Sequence, residues 1–253
     1  MRTSTKITPL AVLDGIRTPF SKAWTELADQ SAVQLGTAVV RECLKRSQLS
    51  VADVDEVIMG NVSCPADAAN IARVIALQAG IPRDRIAHTV NRNCASGMES
   101  LVQAWQVLRE GRAGCVVAGG TESMSNIPLL VRRDTSALLA KLGRAHSIWQ
   151  KVRLLTSLRP RHFRPVPAVL LGLTDPTCGL NMGQTAERLA TEFGISREEQ
   201  DAFALESHRR AAAARERCFL SGETLKYPRG SGKGLTENDV VIEKDNGPRS
   251  NQS

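Results

Sequence analysis

Val90-Asn91-Arg92-Asn93-Cys94-Ala95-Ser96-Gly97-Met98-Glu99 lies between a short apolar stretch and a strongly helical one. Upstream, Ile86-Ala87-His88-Thr89-Val90 reads as a buried strand; downstream, Met98, Leu101, Val102, Trp105 and Leu108 recur at helical spacing. This puts Cys94 near the first turn of a helix, at the end of a strand, where free N–H groups and the helix dipole favour a thiolate. The small residues Ala95, Ser96 and Gly97 leave the sulfur approachable. By position alone two readings stand: a nucleophile, or the small buried hydrophobe that a lone cysteine commonly is.

Outward from this stretch, strand and helix signals alternate. Leu10-Ala11-Val12-Leu13 reads as a strand, Val33 to Arg46 as an amphipathic helix, Val57-Ile58-Met59 as a strand and Ala69 to Ala79 as a helix. The helix from Cys94 to Arg109 is followed by a strand, Cys115-Val116-Val117-Ala118, ended by Gly119-Gly120. Such alternation implies an α/β fold, a mostly parallel sheet with helices on both faces. After Met124 the strand signals fade. A basic helical segment, a Pro-rich linker from Pro165 to Pro176 and further helix follow, with a capping-box pattern at Ser196-Arg197-Glu198-Glu199. From Gly230 the chain reads as loop. The organisation expected is an α/β domain over residues 1–125 and a mainly helical domain over 126–253.

Composition narrows the function classes. With 42% hydrophobic residues over 253 positions a proper core is affordable. Cys43, Cys64, Cys94, Cys115, Cys178 and Cys218 form no CxxC pair and no metal-ligand spacing, and read as free thiols of a reducing compartment. No apolar run is long enough to span a bilayer, and the polar start at Met1 to Thr8 leaves no room for a signal peptide, so a cytoplasmic location is expected. The net charge of +7 is local: Val131 to Arg164 carries nine cations against Asp134 alone. Leu138, Leu142, Ala145, Trp149 and Val152 space there as one helical face. This is either a solvated helix or a surface for an anionic membrane, a partner subunit or an anionic ligand. Scarce aromatic residues and the lack of a binding motif argue against nucleic acid.

Asn91-Arg92-Asn93-Cys94-Ala95-Ser96-Gly97, followed by Val116-Val117-Ala118-Gly119-Gly120-Thr121-Glu122-Ser123-Met124-Ser125, resembles the thiolase family. Arg17-Thr18-Pro19-Phe20, Asn70-Ile71-Ala72-Arg73, Met182-Gly183-Gln184-Thr185-Ala186-Glu187 and Ser196-Arg197-Glu198-Glu199-Gln200-Asp201 extend the likeness in the right order. The resemblance implies that Cys94 carries an acyl group as a thioester, with its backbone N–H as an oxyanion donor. It implies that Met182 lines the acyl and pantetheine side and that Arg249 lies near the nucleotide end of coenzyme A. Asn181 stands where a histidine often precedes the methionine. No bound cofactor or metal is implied; coenzyme A is a substrate.

Thiolases have two similar halves, and this sequence resembles the first, up to a point before that half's last strand. The second half supplies a Gly-His-Pro histidine that activates the nucleophile, an oxyanion-hole Asn and an acid/base cysteine. His88, His146, His162 and His208 match none of these motifs. The basic segment, Arg164-Pro165-Val166-Pro167-Ala168-Val169 and Asp245-Asn246-Gly247-Pro248-Arg249 look like the thiolase subunit of the fatty-acid oxidation complex. That implies thiolysis of 3-oxoacyl-CoA, a homodimer or tetramer, and a dehydrogenase–hydratase partner. The alternatives are a short-chain acetoacetyl-CoA thiolase and a silent half-thiolase that binds acyl-CoA or a partner.

Overall fold

The computed structural model describes residues 10–217, 222–229 and 240–249; Cys218 and the expected polar start lie outside them. By contacts the chain divides into two compact units, one comprising Met1–Asn126 with Arg197–Ser253, the other Ile127–Ser196. The sequence reading placed everything after residue 125 together, whereas the contacts group the chain from Arg197 onward with the α/β part. The ties that do so are specific. Arg17 pairs with Asp245 at 2.8 Å and Glu223 at 2.9 Å, and the Tyr227 hydroxyl donates to Gln30 Oε1 at 2.8 Å.

The first unit is built on helix α1 (Ala32–Arg46), strand β1 (Glu56–Gly60), helix α2 (Ile71–Ala79), strand β2 (Ile86–Val90), helix α3 (Ser96–Arg109) and strand β3 (Val116–Gly120). The strands form a parallel sheet in the order β2-β1-β3, with Gly60 level with both Val90 and Gly120. β1 is central, and all five of its residues are buried. Its side chains alternate between two cores, as period-two geometry requires. Val57 and Met59 join Val40 and Leu44 of α1 and Ile71 and Ile75 of α2; Ile58 joins Val90, Ala104 and Val107 beneath α3. Helices therefore cover both faces. Each fully buried isoleucine contributes about 1.5–3 kcal/mol of transfer energy.

The helix starts are set by short polar side chains. The Ser31 hydroxyl accepts the Gln34 N–H, and the Ser31 N–H donates to the Gln34 side chain in return, closing a capping box on α1. Asn70 caps α2, which ends at Gly80 in the left-handed region.

Three expectations for this unit are corrected. Leu10 to Leu13 forms no strand: Val12 and Leu13 are exposed, and apolar residues make a strand only where a neighbour completes the ladder. Pairing begins instead at Arg17, which bridges Thr224. Gly119 and Gly120 do not end β3 but belong to it. Part of the tail is strand rather than loop. After helix α8 (Arg197–Glu216), strands β6 (Tyr227–Arg229) and β7 (Val240–Ile242) pair antiparallel, and Tyr227 and Ile242 form a small core with Leu27 and Leu35.

The second unit carries strand β4 (Leu129–Leu130), helices α4 (Arg133–Arg144) and α5 (Ile148–Thr156), strand β5 (Val166–Pro167) and helices α6 (Ala168–Gly172) and α7 (Met182–Phe193). The basic segment is thus two helices, not one continuous face; the chain leaves the helix at Ala145, which has extended backbone angles. Asp134, its single anion, gathers Arg132, Arg161 and His162, and buried His162 accepts the Thr135 hydroxyl on its carbonyl. The expected Pro-rich linker contains β5 and α6. A proline is tolerated there because β5 is a two-residue strand paired only with β4. Asn181 caps α7: its side chain accepts the Gln184 N–H at 2.9 Å and its own N–H returns the bond to Gln184. That gives a physical reason for asparagine ahead of Met182.

Candidate active site

The three strands of the parallel sheet end together, and the loops that leave them form the site. Where α3 meets the sheet the two are almost in backbone contact. A Cβ on Gly60 would lie 2.4 Å from the Ser96 carbonyl carbon, and one on Gly120 would lie 3.2 Å from Gly97 Cα. Glycine at these positions lets the helix start sit directly on the strand ends. Buried Ser100 locks the contact, its hydroxyl donating to Gly119 O at 2.8 Å.

Cys94 lies on a tight turn just ahead of this helix. Asn93 adopts a positive φ of 50°, and its N–H donates to the Asn91 side chain at 3.0 Å. The Ser96 hydroxyl is buried at the centre of the turn, accepting the Arg92 N–H at 2.8 Å and donating to Asn93 O at 2.6 Å. These bonds delay the helix, which begins at Ser96 with Ala95 as its cap. Cys94 therefore precedes the first turn by two residues instead of opening it, a correction to the sequence reading. The side chain is exposed, which removes the reading of Cys94 as a small buried hydrophobe. Cys43 and Cys115 do fit that description: both are half-buried, and burial pushes their thiols up. The five described cysteines are free thiols.

An open hollow of about 350 Å³ beside the turn is lined by Val90, Asn91, Arg92, Glu99 and Gln103. Across it, Arg92 donates to Glu99 at 2.8 Å. The hydrogen bonds from Arg92 and Gln103 hold the Glu99 carboxyl below its ordinary range.

The segment after β3 does work the sequence did not reveal. Thr121 and Ser123, both buried, donate to the carbonyls of Ala32 and Gln30 at the entry to α1. Glu122, between them, points the other way. One of its oxygens accepts the N–H groups of Val62 and Ser63 at 3.0 and 3.2 Å, and the other accepts Asn61 Nδ2 and the Ser63 hydroxyl. Three residues thereby tie the loop after β1 to α1. The motif was visible in sequence, but only the alternation of the three side chains shows what each holds.

The other two candidates stand on separate elements. Arg249 is exposed in the first unit, and its backbone N–H donates to His208 Nδ1 of α8 at 3.2 Å. Met182 opens α7 in the second unit and is 52% exposed, so it is not a core methionine. Among the described residues no group of three or more His, Cys, Asp or Glu side chains is placed to hold a metal ion, and no helix is long and apolar enough to cross a membrane.

Cys94 thus stands exposed on the turn between the second strand of a parallel sheet and a glycine-seated helix. The chain belongs to the thiolases: the thiolase N-terminal domain matches residues 10–253. The 3-ketoacyl-CoA thiolase of Yersinia pestis (strain Pestoides F) is 37% identical over 217 residues, which are 85% of this chain and 49% of that protein. Yersinia pseudotuberculosis has a 3-ketoacyl-CoA thiolase with the same figures. Among solved structures, the Bacillus anthracis acetyl-CoA acetyltransferase superposes with a TM-score of 0.78 at 30% identity, covering 96% of this chain and 55% of that one. The Acat5 thiolase of Ascaris suum, solved in complex with coenzyme A, gives 0.74 at 31%, covering 92% and 53%. The chain spans about half the length of the curated relatives it matches.

Proposed function

We propose that this chain is the acyl-carrying part of a thiolase that cleaves 3-oxoacyl-CoA in fatty-acid β-oxidation. The observation that carries the reading is Cys94, exposed on a tight turn at the strand ends of a thiolase N-terminal domain. In the proposed reaction the Cys94 thiolate adds to the keto carbon of the substrate. The bond between that carbon and the α-carbon breaks, the acyl group stays on sulfur as a thioester, and acetyl-CoA leaves as an enolate that takes up a proton. The thiol of free coenzyme A then attacks the thioester, releasing the shortened acyl-CoA and the Cys94 thiol. The backbone N–H of Cys94 serves as one oxyanion donor. Met182 lines the acyl and pantetheine side, and Arg249 lies near the nucleotide end. The histidine base and the second cysteine come from residues outside this sequence, so the 253-residue chain alone does not turn over. The complete enzyme works as a dimer or tetramer in the cytoplasm, with a dehydrogenase–hydratase partner.

The name of the B. anthracis structural neighbour favours a second reading, a short-chain acetyl-CoA acetyltransferase. Haloacetyl-CoA labelling tests the shared core of both: the chain takes up one label at Cys94, and Cys94→Ala does not. Equal labelling of the alanine variant overturns it. Comparing acetoacetyl-CoA with a long-chain 3-oxoacyl-CoA in the complete enzyme separates the two readings.

A further inference from the structure

The turn that carries Cys94 uses its backbone N–H groups internally, with one exception. The Arg92 N–H donates to Ser96 Oγ at 2.8 Å, and the Asn93 N–H to Asn91 Oδ1 at 3.0 Å. The Ala95 N–H donates to Arg92 O at 3.1 Å, and the Ser96 N–H to Asn93 O at 3.0 Å. Between these, the Cys94 N–H donates to nothing among the described residues. An N–H left over while its neighbours on both sides are paired needs a physical cause.

That cause lies in the Ser96 hydroxyl. A backbone N–H only donates, so Ser96 Oγ accepts from Arg92, and its single proton goes to Asn93 O at 2.6 Å. Asn93 O thus receives both the hydroxyl and the N–H of Ser96 and is turned into the turn. The peptide bonds are trans, and in a planar trans peptide the C=O and the following N–H point in opposite directions. Turning Asn93 O inward therefore turns the Cys94 N–H outward. Ser96 is a fixed point for this purpose. It is only 4% exposed, and its backbone sits so close to the end of β1 that a Cβ on Gly60 would lie 2.4 Å from its carbonyl carbon. On the other side of the turn, the Asn91 side chain holds the preceding peptide while Asn93 keeps its positive φ of 50°.

We propose that Ser96 is a positioning residue whose hydroxyl locks the Asn93–Cys94 peptide, so that the Cys94 N–H, and not the Asn93 carbonyl, faces the oxygen of an acyl group on the sulfur. Without the hydroxyl this peptide is free to rotate, and rotation sets a carbonyl oxygen against the oxyanion it should stabilise. The hydroxyl bonds go to Arg92 and Asn93 rather than to the sulfur. Ser96 therefore governs reactions that develop charge on an acyl oxygen and leaves the thiol itself unchanged. This rests on the reading of Cys94 as the acyl carrier and deepens it, by naming the residue that aims the oxyanion donor.

The experiment uses the full chain at about pH 8.5, near the ordinary value of a cysteine thiol. It compares two reactions of each cysteine, followed by mass spectrometry. With p-nitrophenyl acetate the thiolate adds to the ester carbonyl, charge develops on the carbonyl oxygen, p-nitrophenolate leaves and the acetyl group stays on sulfur. With iodoacetamide the sulfur displaces iodide from carbon and no oxyanion forms. In Ser96→Ala the Cys94 acetylation rate falls at least about tenfold, part of the ~10²–10³ that one oxyanion donor contributes, while its alkylation rate stays within about twofold. Exposed Cys178 keeps both rates. Amide hydrogen exchange on the unsubstituted chain is the second measurement: the Arg92, Asn93 and Ser96 amides are slowed and the Cys94 amide is not. It decides alone if labelling of half-buried Cys43 and Cys115 reports that Ser96→Ala has unfolded. Equal loss in both reactions, no loss of acetylation, or a protected Cys94 amide overturns the proposal and leaves the acyl-carrier reading standing. If neither reagent labels Cys94 in the unsubstituted chain, that reading falls and the proposal with it.

Discussion

The contact between Gly60 and the start of α3 makes a sharp stability prediction. In Gly60→Ala the new methyl would lie 2.4 Å from the Ser96 carbonyl carbon, 2.5 Å from its oxygen and 2.7 Å from the Gly97 nitrogen. All three are backbone atoms, so no side chain can swing aside. Bringing 2.4 Å to the 3.4 Å of ordinary contact requires α3 to retreat by about 1 Å. That retreat stretches the 2.8 Å bond from the Ser100 hydroxyl to Gly119 beyond bonding range. Overpacking of this kind costs about 1–3 kcal/mol, and each buried hydrogen bond lost adds about 1–2 more. The expected loss of about 2–5 kcal/mol is a large share of the ~5–15 kcal/mol that holds a domain folded. Gly97→Ala is the control. Its methyl would meet nothing closer than 3.9 Å, and alanine is the better helix former. It should be neutral or stabilising by up to about 1 kcal/mol. Urea unfolding followed by circular dichroism distinguishes the two variants. If Gly60→Ala melts within about 1 kcal/mol of the unsubstituted chain, the seating of α3 on the strand ends is not as described.

Further outcomes follow from other sites. The Asp245 carboxyl is held low: burial opposes this, but hydrogen bonds from Arg17 and the Phe20 N–H and the charge of Arg17 outweigh it. Its stabilisation is therefore complete above the ordinary carboxyl value of about 3.9 and is lost as pH falls through the lowered one. Asp245→Asn should be less stable at pH 7 and flatter in its acid-side urea midpoints, and an acid limb as steep as the original would refute this. Glu122→Gln turns an amide donor toward N–H groups, so exchange at the Val62 and Ser63 amides should quicken at least about tenfold, from a cost of about 1–3 kcal/mol; unchanged protection would refute the role given to Glu122. The basic segment, with Ile148 and Trp149 more than 70% exposed, should bind anionic vesicles or the partner subunit in a salt-sensitive manner, at roughly 1 kcal/mol per cation near a lipid surface. Replacing Lys141, Arg144, Lys151 and Arg153 with Glu should abolish that binding, and co-sedimentation that shows no binding at low salt returns the segment to a solvated pair of helices.

What the sequence made legible was whatever depends on local periodicity. β1, β2 and the helices α1 to α3 follow from apolar spacing, because the neighbours they pack on lie close in the chain. Leu10 to Leu13 has the same composition as a strand and fails, since composition does not supply a ladder partner. Val240 to Ile242 succeeds where a loop was expected, since its partner Tyr227–Arg229 could not be inferred from spacing. Cys94 was located to within two residues. The offset comes from the positive φ of Asn93 and the buried Ser96 hydroxyl, which a helical wheel cannot register. The role of Glu122 was hidden for a related reason: it depends on atoms of the loop after β1, 59 to 61 residues earlier in the chain.

The small core of Leu27, Leu35, Tyr227 and Ile242 also has a consequence in time. A chain leaves the ribosome from its N-terminus, so Leu27 and Leu35 emerge about 190 residues before Tyr227 does. At about 5–20 residues per second that is an interval of roughly 10–40 s. β1, α2 and β2 can assemble early within it, being neighbours in the chain. The side of α1 that carries Leu35 has no such neighbour, and while it waits Leu35 and nearby Leu27 are open to chaperones and to other nascent chains. Leu35→Lys would lessen that exposure during synthesis while weakening the finished protein, so yield and stability should move in opposite directions in a chaperone-depleted translation.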